Sequence, residues 1–262
     1  MDFAYNISDV YQKISTIQKS CDFALENKGQ GFAFPDLPLR NIEIRDIKLH
    51  PAKKGFSFKD GQARMLHDLA SIELQAMELC QRALFEYPDA PEEFREELYR
   101  ITISEADHLR LCLESLSDLG YQWGDWPVHC ALWTAVSAKD SLLDRILIVH
   151  RYLEASGLDA GDHLIRRLEG VDAPSVKSVV KQINYEEIGH VEFGSRWYRQ
   201  ICQIEGLDPE VDFQVRMWKL RTQLPKRIEH LNLDLRKKAG FTEGELVVAQ
   251  SIREDFLKPR NS

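Results

Sequence analysis

Two segments of this chain repeat one spacing: Glu105 and His108 in "ISEADHLRLC", and Glu187 and His190 in "NYEEIGHVEF". Residues three apart on a helix share a face, so each pair would point a carboxylate and an imidazole the same way. Both segments are otherwise patterned as buried helix, and a carboxylate on an apolar face is costly unless it is paired or bound to a cation. Of the eight histidines, only these two have a glutamate three residues before them.

Two further glutamates interrupt apolar stripes, Glu73 between Ala70 and Met77, and Glu154 between Leu147 and Leu158. Glu73 precedes Glu105 by 32 residues and Glu154 precedes Glu187 by 33, with the midpoints inside the breakers "YPDAP" and "EGVDAP". In an antiparallel hairpin, residues equidistant from the turn lie at one level. Each hairpin would therefore offer one Glu and one Glu-x-x-His at the same height, about 23 Å from its turn. One Glu from each of two helices and Glu-x-x-His from each of two others is the ligand set of dimetal carboxylate bundles. The pattern predicts two divalent metal ions held by Glu73, Glu105, His108, Glu154, Glu187 and His190. Hard oxygens with two imidazoles and no thiolate suit iron, with manganese the alternative.

Neighbouring residues carry weaker expectations. His67 and His150 lie near the ligand helices. His150, one turn before Glu154, is expected to line the cavity or hydrogen-bond a ligand rather than to bind metal itself. Glu186 reads equally as a residue orienting a ligand histidine and as a solvated acid. Gly157, Gly161 and Gly194 read equally as a cavity for substrate or dioxygen and as close helix packing. Tyr152, Tyr185 and Trp197 read as aromatic core.

The elements that must position these residues are almost all helical. Hydrophobic periodicity predicts helices over 8–25, 62–86, 91–118, 138–168 and 172–205, a shorter one near 208–220, and a last one capped by Thr242 with Glu245. The third long helix is expected to open on a capping box of Ser137 and Asp140, and the fourth on Asp172. Residues 27–60, with Gly31, Pro35, Pro38 and Pro51, read as an irregular arm; strand-like alternation is confined to "NIEIRDIKLH". The 19 residues from 119 to 137 read as a breaker segment. Extended, they reach about 60 Å, enough to return the chain along a helix about 42 Å long. The expected fold is therefore all-α: a ferritin-like four-helix bundle with a long crossover between helices two and three, plus extra helices at both ends. The expected division is an N-terminal helix and arm over 1–60, the bundle over 61–206 and a helical extension over 207–262.

Composition narrows the function. The 262 residues are 44% hydrophobic and 29% charged, with net charge −8, a balance that does not favour nucleic acid. The basic stretch from Arg216 to Lys238 reads as a solvated face. No run approaches the roughly 20 apolar residues of a membrane span, and the first residues lack a basic region followed by an apolar run. Five scattered cysteines form no C-x-x-C pair and read as buried thiols in a reducing cytoplasm.

The motif segments "SIELQAMELC", "EADHLRL", "YLEASGLDAG" and "EEIGHVEFGSRW", with the later "LNLDLRKKAGF", resemble the ferritin-like proteins grouped as domain of unknown function 455. The resemblance covers roughly residues 60–245 and implies a ferritin-like fold and a di-iron centre, without a substrate. This chain has Asp107 and Gly189 inside the motifs, where longer and often basic residues are expected. Together these readings predict a non-haem di-iron oxidoreductase that activates dioxygen to oxidise or hydroxylate a small organic substrate, with an electron donor if it is an oxygenase. The alternatives are a tRNA-modifying hydroxylase and a non-enzymatic protein of iron handling or peroxide protection. A monomer or small homo-oligomer is expected.

Overall fold

The computed structural model describes residues 3–27 and 32–258; Gly31 of the arm lies outside them. Among the described residues the chain is all-α, and no helix is long and apolar enough to cross a membrane. The chain forms two compact units: residues 1–134 with 167–179, and residues 135–166 with 180–262.

The first unit is built on a helical hairpin. Helix α1 (Val10–Glu26) is capped by Asp9, which accepts from the N–H of Gln12. Helix α2 (Lys59–Glu86) and helix α3 (Glu92–Asp118) are the hairpin's arms. Pro91 stands before the first residue of α3, where its fixed φ and missing N–H are harmless. Near the turn, Arg95 donates to the carbonyl of Leu84; farther along, Glu73 meets His108, the pairing of an antiparallel register. Helix α2 is buried without interruption from Glu73 to Phe85. Its Glu78 is fully buried and accepts from both Lys13 of α1 and Arg40 of the arm, each at 2.7 Å, which ties both elements to α2.

The arm does not form the strand that its alternation predicts. Ile44 makes one isolated parallel bridge to Val128 of the crossover segment, with Arg45 N–H donating to the Val128 carbonyl and Val128 N–H to that of Glu43. A single ladder step holds arm and crossover together because the flanking residues turn away into a 3-10 turn at Ile47–Leu49.

The second unit contains the third long helix, which departs from expectation at its start. Ser137 and Asp140 close a local turn, Ser137 N–H donating to Asp140 at 2.6 Å. The helix opens one turn later, on a capping box of Ser141 and Asp144. It runs as α4 (Leu142–Ile146), then as a π-helix over Leu147–Glu154, then as α5 (Ala155–Leu168). The next helix, α6 (Pro174–Ile204), begins at Pro174, so Ala173 rather than Asp172 takes the cap position. Helices α7 (Pro209–Leu220) and α9 (Glu243–Leu257) start at the Asp208 and Thr242 caps, the latter a full capping box with Glu245. A short α8 (Leu233–Lys238), capped by Asn232, lies in the stretch expected to be irregular.

That basic stretch is not simply a solvated face. Arg216 reaches Asp144 at 2.7 Å and Asp212 at 2.8 Å, and the buried Arg236 holds Asp159 at 2.6 Å. All five cysteines are free and buried.

Candidate metal centre

Within the first unit, α2 supplies Glu73, and α3 supplies Glu105 and His108. All three are buried, Glu105 and His108 completely. His108 Nδ1 stands 3.5 Å from an oxygen of Glu73 and 3.5 Å from an oxygen of Glu105. One imidazole nitrogen thus lies between two carboxylates brought from opposite arms of the hairpin.

Within the second unit, the π-helical segment supplies His150 and Glu154, and α6 supplies Glu187 and His190; none of the four is more than 8% exposed. His190 Nδ1 is 3.1 Å from Glu187. The register of these helices follows from three contacts. His150 packs its ring edge-on to Phe193, Gly194 abuts His150, and Gly161 abuts Asn184. Each step along one helix is matched by a step back along the other, so Glu154 is level with His190.

The distances have a physical reading. Two donor atoms bound to one ion at about 2.1 Å lie about 3.0 Å apart at a right angle and about 3.4 Å apart at a tetrahedral angle. The separations of 3.1 and 3.5 Å between each motif imidazole and its carboxylates have the length of such a ligand edge. Other buried acids of the chain are matched differently: Glu78 by Lys13 and Arg40, Glu245 by Arg151, Asp159 by Arg236. The chain thus carries Glu/His clusters of a kind that could hold metal ions.

The surrounding residues divide. His150 hydrogen-bonds Glu154. Glu186, on the partly exposed side of α6, accepts from Gln182 at 3.2 Å, one turn back on its own helix. A methyl group on Gly161 would overlap Asn184 and one on Gly194 would overlap His150, so both glycines serve close helix packing. Gly157 is exposed, with nothing within 4 Å of where a side chain would begin, so of the two readings of Gly157 and Gly161 the cavity gives way to solvent at the first and to Asn184 at the second. Tyr152 and Trp197 are core, but Tyr185 is 77% exposed. Asp107 and Gly189, between the motif Glu and His, also face outward.

Sequence reasoning missed the π-helix that carries His150 and Glu154. Such insertions occur often at functional sites. It also missed the buried Arg151, which donates to both oxygens of Glu245 at 2.8 and 2.6 Å and lies over the rings of Phe213 and Phe241. Burial alone would push the Glu245 carboxyl up, but the Arg151 guanidinium, the Thr242 N–H and Arg199 together hold it below the usual carboxylate range.

Residues 6–247 match the family described as "Protein of unknown function (DUF455)", and the chain belongs to that family. A Haemophilus influenzae protein described as uncharacterized is 34% identical over 222 residues, covering 82% of this chain and 75% of the relative. No solved structure matches.

Proposed function

We propose that this chain is a ferritin-like, non-haem dimetal oxidoreductase in which Glu73, Glu105, His108, Glu154, Glu187 and His190 hold two divalent ions, iron in the first place and manganese in the second. The observation that carries the reading is the burial, within each unit, of a Glu and a Glu-x-x-His, with His108 3.5 Å from both Glu73 and Glu105 and His190 3.1 Å from Glu187. Donor chemistry agrees, since carboxylate and imidazole without thiolate suit iron and manganese. Bound iron would supply the redox chemistry by which dioxygen oxidises or hydroxylates a small organic substrate, with electrons from a donor where the reaction is a hydroxylation. The chain's own part is to fix the ligand geometry on rigid helices and to keep the site away from bulk water. The tRNA-hydroxylase alternative loses ground, because Arg216 and Arg236 of the basic stretch are spent on Asp144, Asp212 and Asp159.

Metal analysis of protein purified from its own host, followed by anaerobic reduction and exposure to oxygen, tests the proposal. About two irons per chain, reoxidised together with oxygen consumption, is the expected result. Protein that binds neither iron nor manganese under these conditions overturns the dimetal reading.

A further inference from the structure

His150 is paired with Glu154, one turn on along its own chain segment. Its Nδ1 stands 2.9 and 2.8 Å from the two oxygens of Glu154. These are hydrogen-bond lengths. His108 and His190 lie at 3.1 to 3.5 Å from their carboxylates. His150 Nδ1 and the Glu154 carboxylate are thus within hydrogen-bond reach of one another. A carboxylate that binds metal is ionised, so the imidazole N–H is the donor.

The ring is held where this bond requires it. His150 is 3% exposed, and its ring packs edge-on to Phe193 at 5.0 Å. Gly194 lies so close beneath it that a methyl group there would overlap the His150 Cβ. The glycine makes room for this histidine. The π-helical winding of Leu147–Glu154 changes the face on which Glu154 emerges relative to an unbroken α-helix. In the first hairpin the residue four before Glu73 is Leu69 rather than histidine.

Resting on the dimetal reading above, we propose that His150 is the positioning residue of Glu154. Its Nδ1–H lies against both carboxylate oxygens, at 2.9 and 2.8 Å, and so fixes the orientation in which the carboxylate would face a metal ion. The ion served by Glu154 therefore depends on His150.

Anaerobic titration with ferrous ion, followed by calorimetry, tests this. The wild type should bind two ions per chain. His150→Leu should weaken one of them by roughly 10- to 100-fold, the loss typical of removing a hydrogen-bond partner of a ligand, and leave the other within about two-fold. His150→Asn, whose amide can place an N–H near the former Nδ1, should restore most of the loss. A simple packing role would not produce that rescue. Should His150→Leu lose its circular dichroism, His150→Gln, with the donor displaced by one bond, takes its place with the same expected loss. Wild-type protein that binds no ferrous ion overturns the dimetal reading itself. Wild type with two ions, beside a donor-lacking variant that binds both as tightly or an Asn variant that rescues nothing, overturns the positioning role alone.

Discussion

At the scale of single residues, His67 shows what burial does to a titratable group. Its Nε2 accepts the Gly124 N–H at 3.1 Å, and its ring stacks on Trp123 at 4.9 Å. Burial, reinforced by the Arg64 charge, pulls its pKa from 6.5 down to about 4, against the opposing pull of Asp68. The folded state therefore binds fewer protons than the unfolded chain between these two values. The contribution is fully present above pH 6.5 and is lost as pH falls toward 4. It should amount to about 2 kcal/mol between pH 7 and 5, read as the fall in urea midpoint. His67→Gln, whose amide oxygen can accept the same N–H without titrating, should flatten that fall. An unchanged pH slope in the variant would mean that His67 titrates normally. The candidate ligands were legible because an acid in an apolar stripe is an anomaly that one sequence displays by itself. Glu78, equally buried on the same helix, was not legible, because Lys13 and Arg40, which neutralise it, are brought together only by the fold. Gly157 and Tyr185 misled for a related reason: periodicity assigns a face to a helix but does not say where its neighbours stop.

At the scale of elements, the third long helix was legible in existence but not in its start or its winding. Residues 143–155 are buried without a break. Where polar and apolar residues alike are buried, a change of winding does not move any residue between core and solvent, so the pattern does not mark the π-turn. Its start was ambiguous because two Ser-x-x-Asp boxes follow one another, at Ser137 and Ser141. Ser141→Ala should cost about 1 kcal/mol, the usual value of an N-cap, and Ser137→Ala less, in the same urea series; the reverse order would move the helix start back to Ser137. Farther along, α9 is fastened to the π-helical segment by Arg151 and Glu245, both about 1% exposed. Glu245→Gln leaves a buried guanidinium without its counter-charge and should cost about 3–5 kcal/mol. The double variant Arg151→Met with Glu245→Gln should be less destabilised than the single one, because the stranded charge is gone. If the double variant loses as much as the sum of the two single ones, the pair is not energetically coupled.

At the scale of the whole molecule, the dimetal proposal links metal content to stability and separates an enzyme from an iron store. Four acids drawn into buried Glu/His clusters repel or take up protons when no cation is present. Metal that binds the folded chain in preference to the unfolded one raises its stability by mass action, by about 2.7 kcal/mol at a hundred-fold excess over the dissociation constant. Verified metal-free protein should therefore melt several degrees below protein loaded with two ions, and equal melting temperatures would remove any structural role for the metals. The same loaded protein answers the functional question. An iron store must pass ions onward from its oxidising site into a shell enclosed by many subunits. Here the candidate ligands sit beside helices whose glycines are filled by Asn184 and His150, and the chain adds an N-terminal arm and three helices beyond α6. The expected outcome of adding excess ferrous ion in air is retention of about two irons per chain, by a species that light scattering reports as a monomer or small homo-oligomer. Retention of tens of irons per chain by a large assembly would replace the oxidoreductase reading with iron storage, while leaving the six proposed ligands in place as its oxidising site.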